Sequence, residues 1–192
     1  MMKSDTYFDT MLENEQYTVG ITIDDSYTVD STDNRAYDYV MNPTCKRRGD
    51  MYKALHISVT GKNSYSIALV GDYYTYGPNC AILTDHIVTV LQNDHITQID
   101  LDTVQIIKEY ELDVLGTTFG IYRIPDGYII YGEILVVKLD NTFREVWKFS
   151  GKDIFVSVNG KNAFELTENS IKLYDFENNF YELDFDGNAV SE

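Results

Sequence analysis

DHIVTVLQNDHITQIDLDT (85–103), DGYIIYGEILVVKLDNT (126–142) and ENSIKLYDFENNFYELDFDG (168–187) write one pattern three times. Each copy opens on a polar turn, runs up an apolar strand, turns, and descends a second strand ending in alternating hydrophobic and Asp or Lys residues. The alternation is clean in ITQIDL (96–101) and FYELDF (180–185). Successive side chains of a strand point to opposite faces, so these strands have one buried and one wetter face. VQIIKEYEL follows the first hairpin after Asp102-Thr103, and FREVWKF follows the second after Asp140-Asn141-Thr142. FGIYRI (119–124) and IFVSV (154–158) read as extra strands between copies, and only Ala189-Val190 follows the turn at Gly187.

Leu101-Asp102, Leu139-Asp140 and Phe185-Asp186 recur at separations of 38 and 46 residues. A period near 40 residues signals a repeat architecture. Turns this short join antiparallel neighbours, so the unit is a small meander. Upstream, ALHISVTG and SYSIALVGDYY flank Lys62-Asn63 and read as a further hairpin. YTVGITI (17–23) and SYTVD (26–30) are expected to pair across Asp24-Asp25. Tyr7, Phe8, Met11 and Leu12 fall at helical spacing, which predicts one or two helical turns within residues 1–16. Residues 31–50 are polar and turn-rich, with a short helix expected near Ala36–Met41 before Pro43 breaks it. The expected organisation is an N-terminal extension, 1–50, followed by the repeated meander domain, 51–192.

The turns in IDLDTVQIIKEYEL and VKLDNTFREVWKFS, a hydrophobic-Asp-x-x pattern leading into a strand, resemble blades of β-propellers of the WD40 or quinoprotein type. The resemblance covers about residues 80–190 and lacks the Gly-His and Trp-Asp pairs of WD40 blades. It implies an all-β fold of antiparallel meanders repeated about three times, an open propeller-like fan with little helix. A β-sandwich or open barrel is the alternative. The third copy lacks a last strand, and the N-terminal strands are expected to cover that edge, since exposed edges are usually managed.

The net charge is −16, and it is concentrated at the two ends. Residues 1–34 hold eight acids and one base, as do residues 163–192, so each end carries −7 and the middle only −2. Such a field repels nucleic acid and anionic membrane and attracts basic surfaces. The N-terminus has no secretory apolar core and no run is long enough to span a bilayer, so a cytoplasmic protein is expected. Cys45 and Cys80 are the only cysteines, expected as free thiols.

Tyr73, Tyr74 and Tyr76, in a loop bounded by Gly71 and Gly77, form a candidate binding patch together with Asp184 and Asp186 of the acidic end. Asp100/Asp102 and Asp184/Asp186 also have the spacing that puts two carboxylates on one strand face, as a glycosidase requires. Their recurrence at repeat positions favours turn-making instead, because Asp accepts hydrogen bonds from nearby backbone amides. His86 and His95 bracket one hairpin and could approach across it, but a metal site would need a third ligand such as Asp85, Asp94 or Asp100. No metal, cofactor or catalytic residue is expected, and DFDGN (184–188) lacks the rest of a calcium loop. The chain is therefore expected to be a non-catalytic, acidic protein-interaction module that binds a partner with a basic surface, of the immunity or inhibitor type. The alternatives are a carbohydrate-binding or glycoside-hydrolysing protein and a structural scaffold subunit.

Overall fold

The structure, a computed structural model, describes residues 9–43, 53–71, 78–156 and 162–190. Among these residues every regular element is a β-strand. The chain divides into two compact units, Met1–Leu112 and Asp113–Glu192.

The first unit holds two sheets. One contains β1 (Thr10–Glu13), β2 (Thr18–Asp24), β3 (Tyr39–Met41), β4 (Lys53–Thr60) and β5 (Ser64–Gly71), in the order β1-β2-β4-β5-β3. All its pairings are antiparallel except that of β3 with β5. The other is a four-stranded meander of β6 (Ala81–Thr84), β7 (Ile87–Gln92), β8 (His95–Asp100) and β9 (Gln105–Glu111). Val19, Ile21, Leu55, Ile57, Ile67 and Leu69 of the first sheet share one core with Val88, Val90 and Ile99 of the second. Each such side chain, fully buried, stabilises by roughly 1.5–3 kcal/mol. The alternation read in the sequence is therefore the alternation that fills this core.

On the opposite face of the first sheet, the segment after β2 lays Tyr27, Val29 and Tyr37 over Ala54, Ala68 and Val70. Arg35 Nη1 lies 2.6 Å from His56 Nδ1, the Tyr37 ring meets His56 edge-on, and the Tyr37 hydroxyl donates to Asp24 at 2.6 Å. Burial, then the Arg35 guanidinium, holds His56 below its ordinary histidine value, with Asp24 opposing. The unfolded chain therefore takes up a proton that the folded chain refuses. Stability is unaffected by this group above the ordinary histidine pKa of about 6.5 and declines as pH falls below it. Melting temperatures followed downward from neutral pH should fall more steeply for the wild type than for His56→Gln; parallel curves would contradict this.

The second unit also holds two sheets. One is a four-stranded meander of β10 (Thr118–Ile124), β11 (Gly127–Gly132), β12 (Val136–Asp140) and β13 (Glu145–Phe149). The other is a three-stranded meander of β14 (Phe164–Leu166), β15 (Ser170–Tyr174) and β16 (Phe180–Asp184). Ile124, Ile129, Val136 and Phe155 pack with Ile171, Leu173 and Leu183 in their shared core. Trp147 closes one side of it, half-buried, its Nε1 donating to the Phe185 carbonyl at 3.0 Å. Opposite Trp147 across the β12–β13 pair stands Lys138, a buried cation. Its Nζ donates to Asp126 at 2.7 Å and to the Phe185 carbonyl at 2.8 Å. Removing the counter-charge strands a buried ammonium, whereas replacing the lysine by an apolar residue of like volume does not. Asp126→Ala should therefore lower urea stability by about 2 kcal/mol, and Lys138→Met by less; the reverse order would contradict the assignment.

All-β architecture with repeated antiparallel meanders is thus observed. The four sheets are open, and no barrel closes among the described residues. Four-stranded meanders are the build of a propeller blade, and β6–β9 and β10–β13 each have that form. Several local expectations are corrected. Residues 10–13 form a strand, because Thr10 and Leu12 face the core while Met11 points out, a period of two rather than of a helix. Residues 39–41 form β3 rather than a helix, held by parallel pairing to β5. Residues 26–30 are not a strand; β2 pairs with β1 and β4 instead. Residues 154–156 are irregular, with Phe155 buried and its amide donating to the Glu133 carbonyl at 2.6 Å. The N-terminal strands β1 and β2 pair with each other and with β4, so strands from both sides of residue 50 lie in one sheet of the first unit. Residues 189–190 begin to cover the β16 edge themselves, through the Leu183–Ala189 bridge and a hydrogen bond from the Val190 amide to the Glu182 carbonyl.

Candidate functional site

The recurring aspartates are turn-makers. In the second unit, one five-residue turn is built three times, at Asp140–Arg144, Asp175–Asn179 and Asp184–Asn188. In each, the aspartate carboxylate accepts from the backbone amide four residues on, at 3.0, 2.8 and 2.8 Å. The fourth residue of each turn (Phe143, Asn178, Gly187) has positive φ, as in the three-residue hairpin loops that end in a left-handed residue. At Gly187 (φ 85) an added Cβ would also come 3.0 Å from the Trp147 ring. The first unit uses a longer version, in which Asp100 accepts from the amides of Asp102 (2.9 Å) and Thr103 (2.8 Å) and Val104 takes the left-handed position. The equivalent residues are therefore Asp100, Asp140 and Asp184, not the Asp102, Asp140 and Asp186 that sequence spacing aligns.

These bonds fix the electrostatics. The Asn188 side chain, and then its backbone amide, lowers Asp184, the Thr103 backbone amide lowers Asp100, and the Thr142 hydroxyl, with Arg144, holds Asp140 well below the carboxylate range. A glycosidase acid needs a raised pKa, so Asp100 is suited to holding a turn rather than donating a proton. Asp184, expected as a binding residue, has its carboxylate committed to its own turn. Asp186 is exposed and contributes its amide to Asp184 at 2.9 Å. Asp184→Ala should accordingly lower the melting temperature of the second unit more than Asp186→Ala; equal melting of the two variants would contradict the turn role.

His86 and His95 are not brought together. The register pairs Gln92 with His95 and Ile87 with Asp100, which puts the two histidines at opposite ends of β7. His95 is fully buried, whereas His86 is partly exposed and 3.6 Å from Asp100. Cys80 is buried beside the Thr10 hydroxyl, its Sγ 3.3 Å from Oγ1. Tyr73, Tyr74, Tyr76 and Cys45 lie outside the described residues.

What the strands do assemble is a cleft of about 510 Å³ at one end of the first unit, lined in part by Tyr17, Asp38, Tyr39, Lys62, Tyr65 and Asp102. Tyr17 is fixed by the Asn14 carboxamide, which accepts from the amides of Gln16 and Tyr17, both at 2.9 Å. Its ring lies over Gly61, where a Cβ would meet it at 2.7 Å. Its hydroxyl donates to Asp102 at 2.5 Å, and this bond, with burial, pushes the phenol up to about 12. Tyr65, on β5, donates to the Leu101 carbonyl at 2.6 Å, and burial raises its phenol as well. Tyr39, on the edge strand β3, is 43% exposed and meets Tyr65 at 5.7 Å, with ring planes 82° apart. Asp38 accepts from the Ser66 amide (2.7 Å) and hydroxyl (2.9 Å), which hold its carboxyl below the usual value.

Val104, which also lines the cleft, is the one β-branched residue with positive φ (54°) among the described residues. That conformation is costly for its side-chain type, and such strain clusters at functional sites. Chemically the cleft offers aromatic faces and the carboxyl groups of Asp38 and Asp102. Its phenols Tyr17 and Tyr65 stay protonated at neutral pH, which suits recognition rather than proton transfer. None of its three tyrosines stands out in the sequence, because they come from segments distant along the chain: Tyr17 from the β1–β2 turn, Tyr39 from β3 and Tyr65 from β5.

No family model matches this sequence, and no curated protein matches it. Solved structures similar to it include propeller-like proteins. BamB from Moraxella catarrhalis is 14% identical, matched over 81% of this chain and 48% of its own, at TM-score 0.46. Hsv2 from Kluyvelomyces marxianus is 6% identical over 76% of this chain and 46% of its own, at TM-score 0.45. Apo AztD from Citrobacter koseri is 13% identical over 94% of this chain and 57% of its own, at TM-score 0.45. The chain spans about half the length of these structures.

Proposed function

We propose that this chain is a non-catalytic binding module that recognises a basic protein surface, as an inhibitor or immunity protein masks a cationic partner. The observation that carries this reading is the tyrosine and carboxylate cleft of the first unit, in which the Tyr17 and Tyr65 phenols are raised and the Asp38 carboxyl is lowered from their ordinary values. The acidic composition supports it, since net charge of one sign steers an oppositely charged partner to the surface. The test is fluorescence anisotropy with labelled arginine- and lysine-rich peptides and with neutral oligosaccharides. Peptide binding should weaken steeply between about 0.1 and 1 M salt, as the Debye length falls from about 10 Å to about 3 Å. Peptides that fail to bind at low salt, or oligosaccharides that bind in their place, would overturn the reading.

A further inference from the structure

We infer that the cleft lined by Tyr39, Tyr65, Asp38 and Asp102 is a seat for an arginine side chain of the basic partner. This assignment rests on the binding-module reading and narrows it to one place and one chemical group. Tyr39 and Tyr65 stand nearly perpendicular, so their faces bound a corner rather than a flat platform of the kind a sugar ring stacks on. The face of a tyrosine attracts a cation within about 6 Å of its centroid. A guanidinium is planar and weakly hydrated, so it stacks on such a face at lower cost than an ammonium does. The two carboxylates that line the cleft complete the site. Asp38 is anchored by Ser66, and Asp102 is anchored through the Tyr17 hydroxyl. Both are held in place before a ligand arrives, which spares the ordering cost that weakens mobile acidic surfaces.

Lys62, on the exposed β4–β5 turn, also lines the cleft and is a like charge for the incoming guanidinium. It supplies a readout that a merely structural role would not move. Removing it should tighten an arginine ligand roughly twofold to fivefold, and it should do nothing of the kind for a neutral one.

The experiment uses the full chain, titrated by NMR with N-acetyl-arginine amide, N-acetyl-lysine amide and maltotriose. The arginine probe should move the Tyr39, Tyr65 and Asp102 resonances saturably and bind more tightly than the lysine probe. Tyr39→Ala should weaken it about tenfold, Asp102→Asn should also weaken it, and Lys62→Ala should strengthen it. Maltotriose shifts at the same resonances, with none from arginine, would overturn the inference in favour of a glycan site. If arginine-rich peptides bind the protein but these variants leave their affinity unchanged, the cleft assignment fails while the binding-module reading stands. If no basic peptide binds at all, both fail.

Discussion

Gly127→Ala should unfold the second unit roughly 12–24 °C below the wild type in scanning calorimetry, while the first unit keeps its own transition. Gly127 opens β11 directly opposite Asp140, and a Cβ there would stand 1.9 Å from the Leu139 carbonyl oxygen. That atom is backbone, so no side-chain rotation relieves the clash; the β11–β12 pair has to part. Overpacking of this kind costs about 3 kcal/mol, a large share of the stability of a unit this size. Gly132→Ala is the control, because its nearest backbone atoms lie at 3.1 Å and a small adjustment suffices. Equal melting of the two variants would show that the β11–β12 register is not as described.

Deletion of residues 1–24 should abolish cooperative unfolding of the first unit and lead to aggregation. The deletion removes β1 and β2, and with them Tyr17, Val19 and Ile21 from the core. Losing three buried side chains costs roughly 5–9 kcal/mol, comparable with the whole stability of a typical domain. It also bares the β4 edge along its full length, from Thr60 opposite Thr18 to Ala54 opposite Asp24. A soluble truncation with the wild-type calorimetric transition would contradict this. The edge that the N-terminal strands protect within the first unit is thus that of β4.

The second half of the chain was legible because its strands alternate and its turns are short. ITQIDL, YIIYGE and FYELDF became strand segments in the registers that their apolar faces demand. β6 and β14 went unread, since four and three residues are too few to display a period. β3 was misread because its conformation is imposed by β5 alongside it, a contact spanning 28 residues that no local pattern announces. The turn role of the aspartates was legible from their recurrence, but the first and third copies each carry two hydrophobic-Asp pairs two residues apart (Asp100 and Asp102, Asp184 and Asp186), which hid which aspartate was equivalent to Asp140. The cleft was not legible at all. Tyr17, Tyr39 and Tyr65 look like ordinary strand residues, and only the sheet order brings them to one end of the unit.

The most direct test of the account is the affinity of one labelled arginine-rich peptide for the wild type, for Tyr39→Ala/Asp102→Asn and for Asp184→Asn/Asp186→Asn. The last two variants each remove acidic charge, but only the first touches the cleft. The account predicts a loss of tenfold or more for the cleft variant, on the order of one cation–π contact and one carboxylate, and little change for the variant at the acidic end. Equal losses for both would make the interaction one of net charge alone and contradict a defined binding site in the first unit.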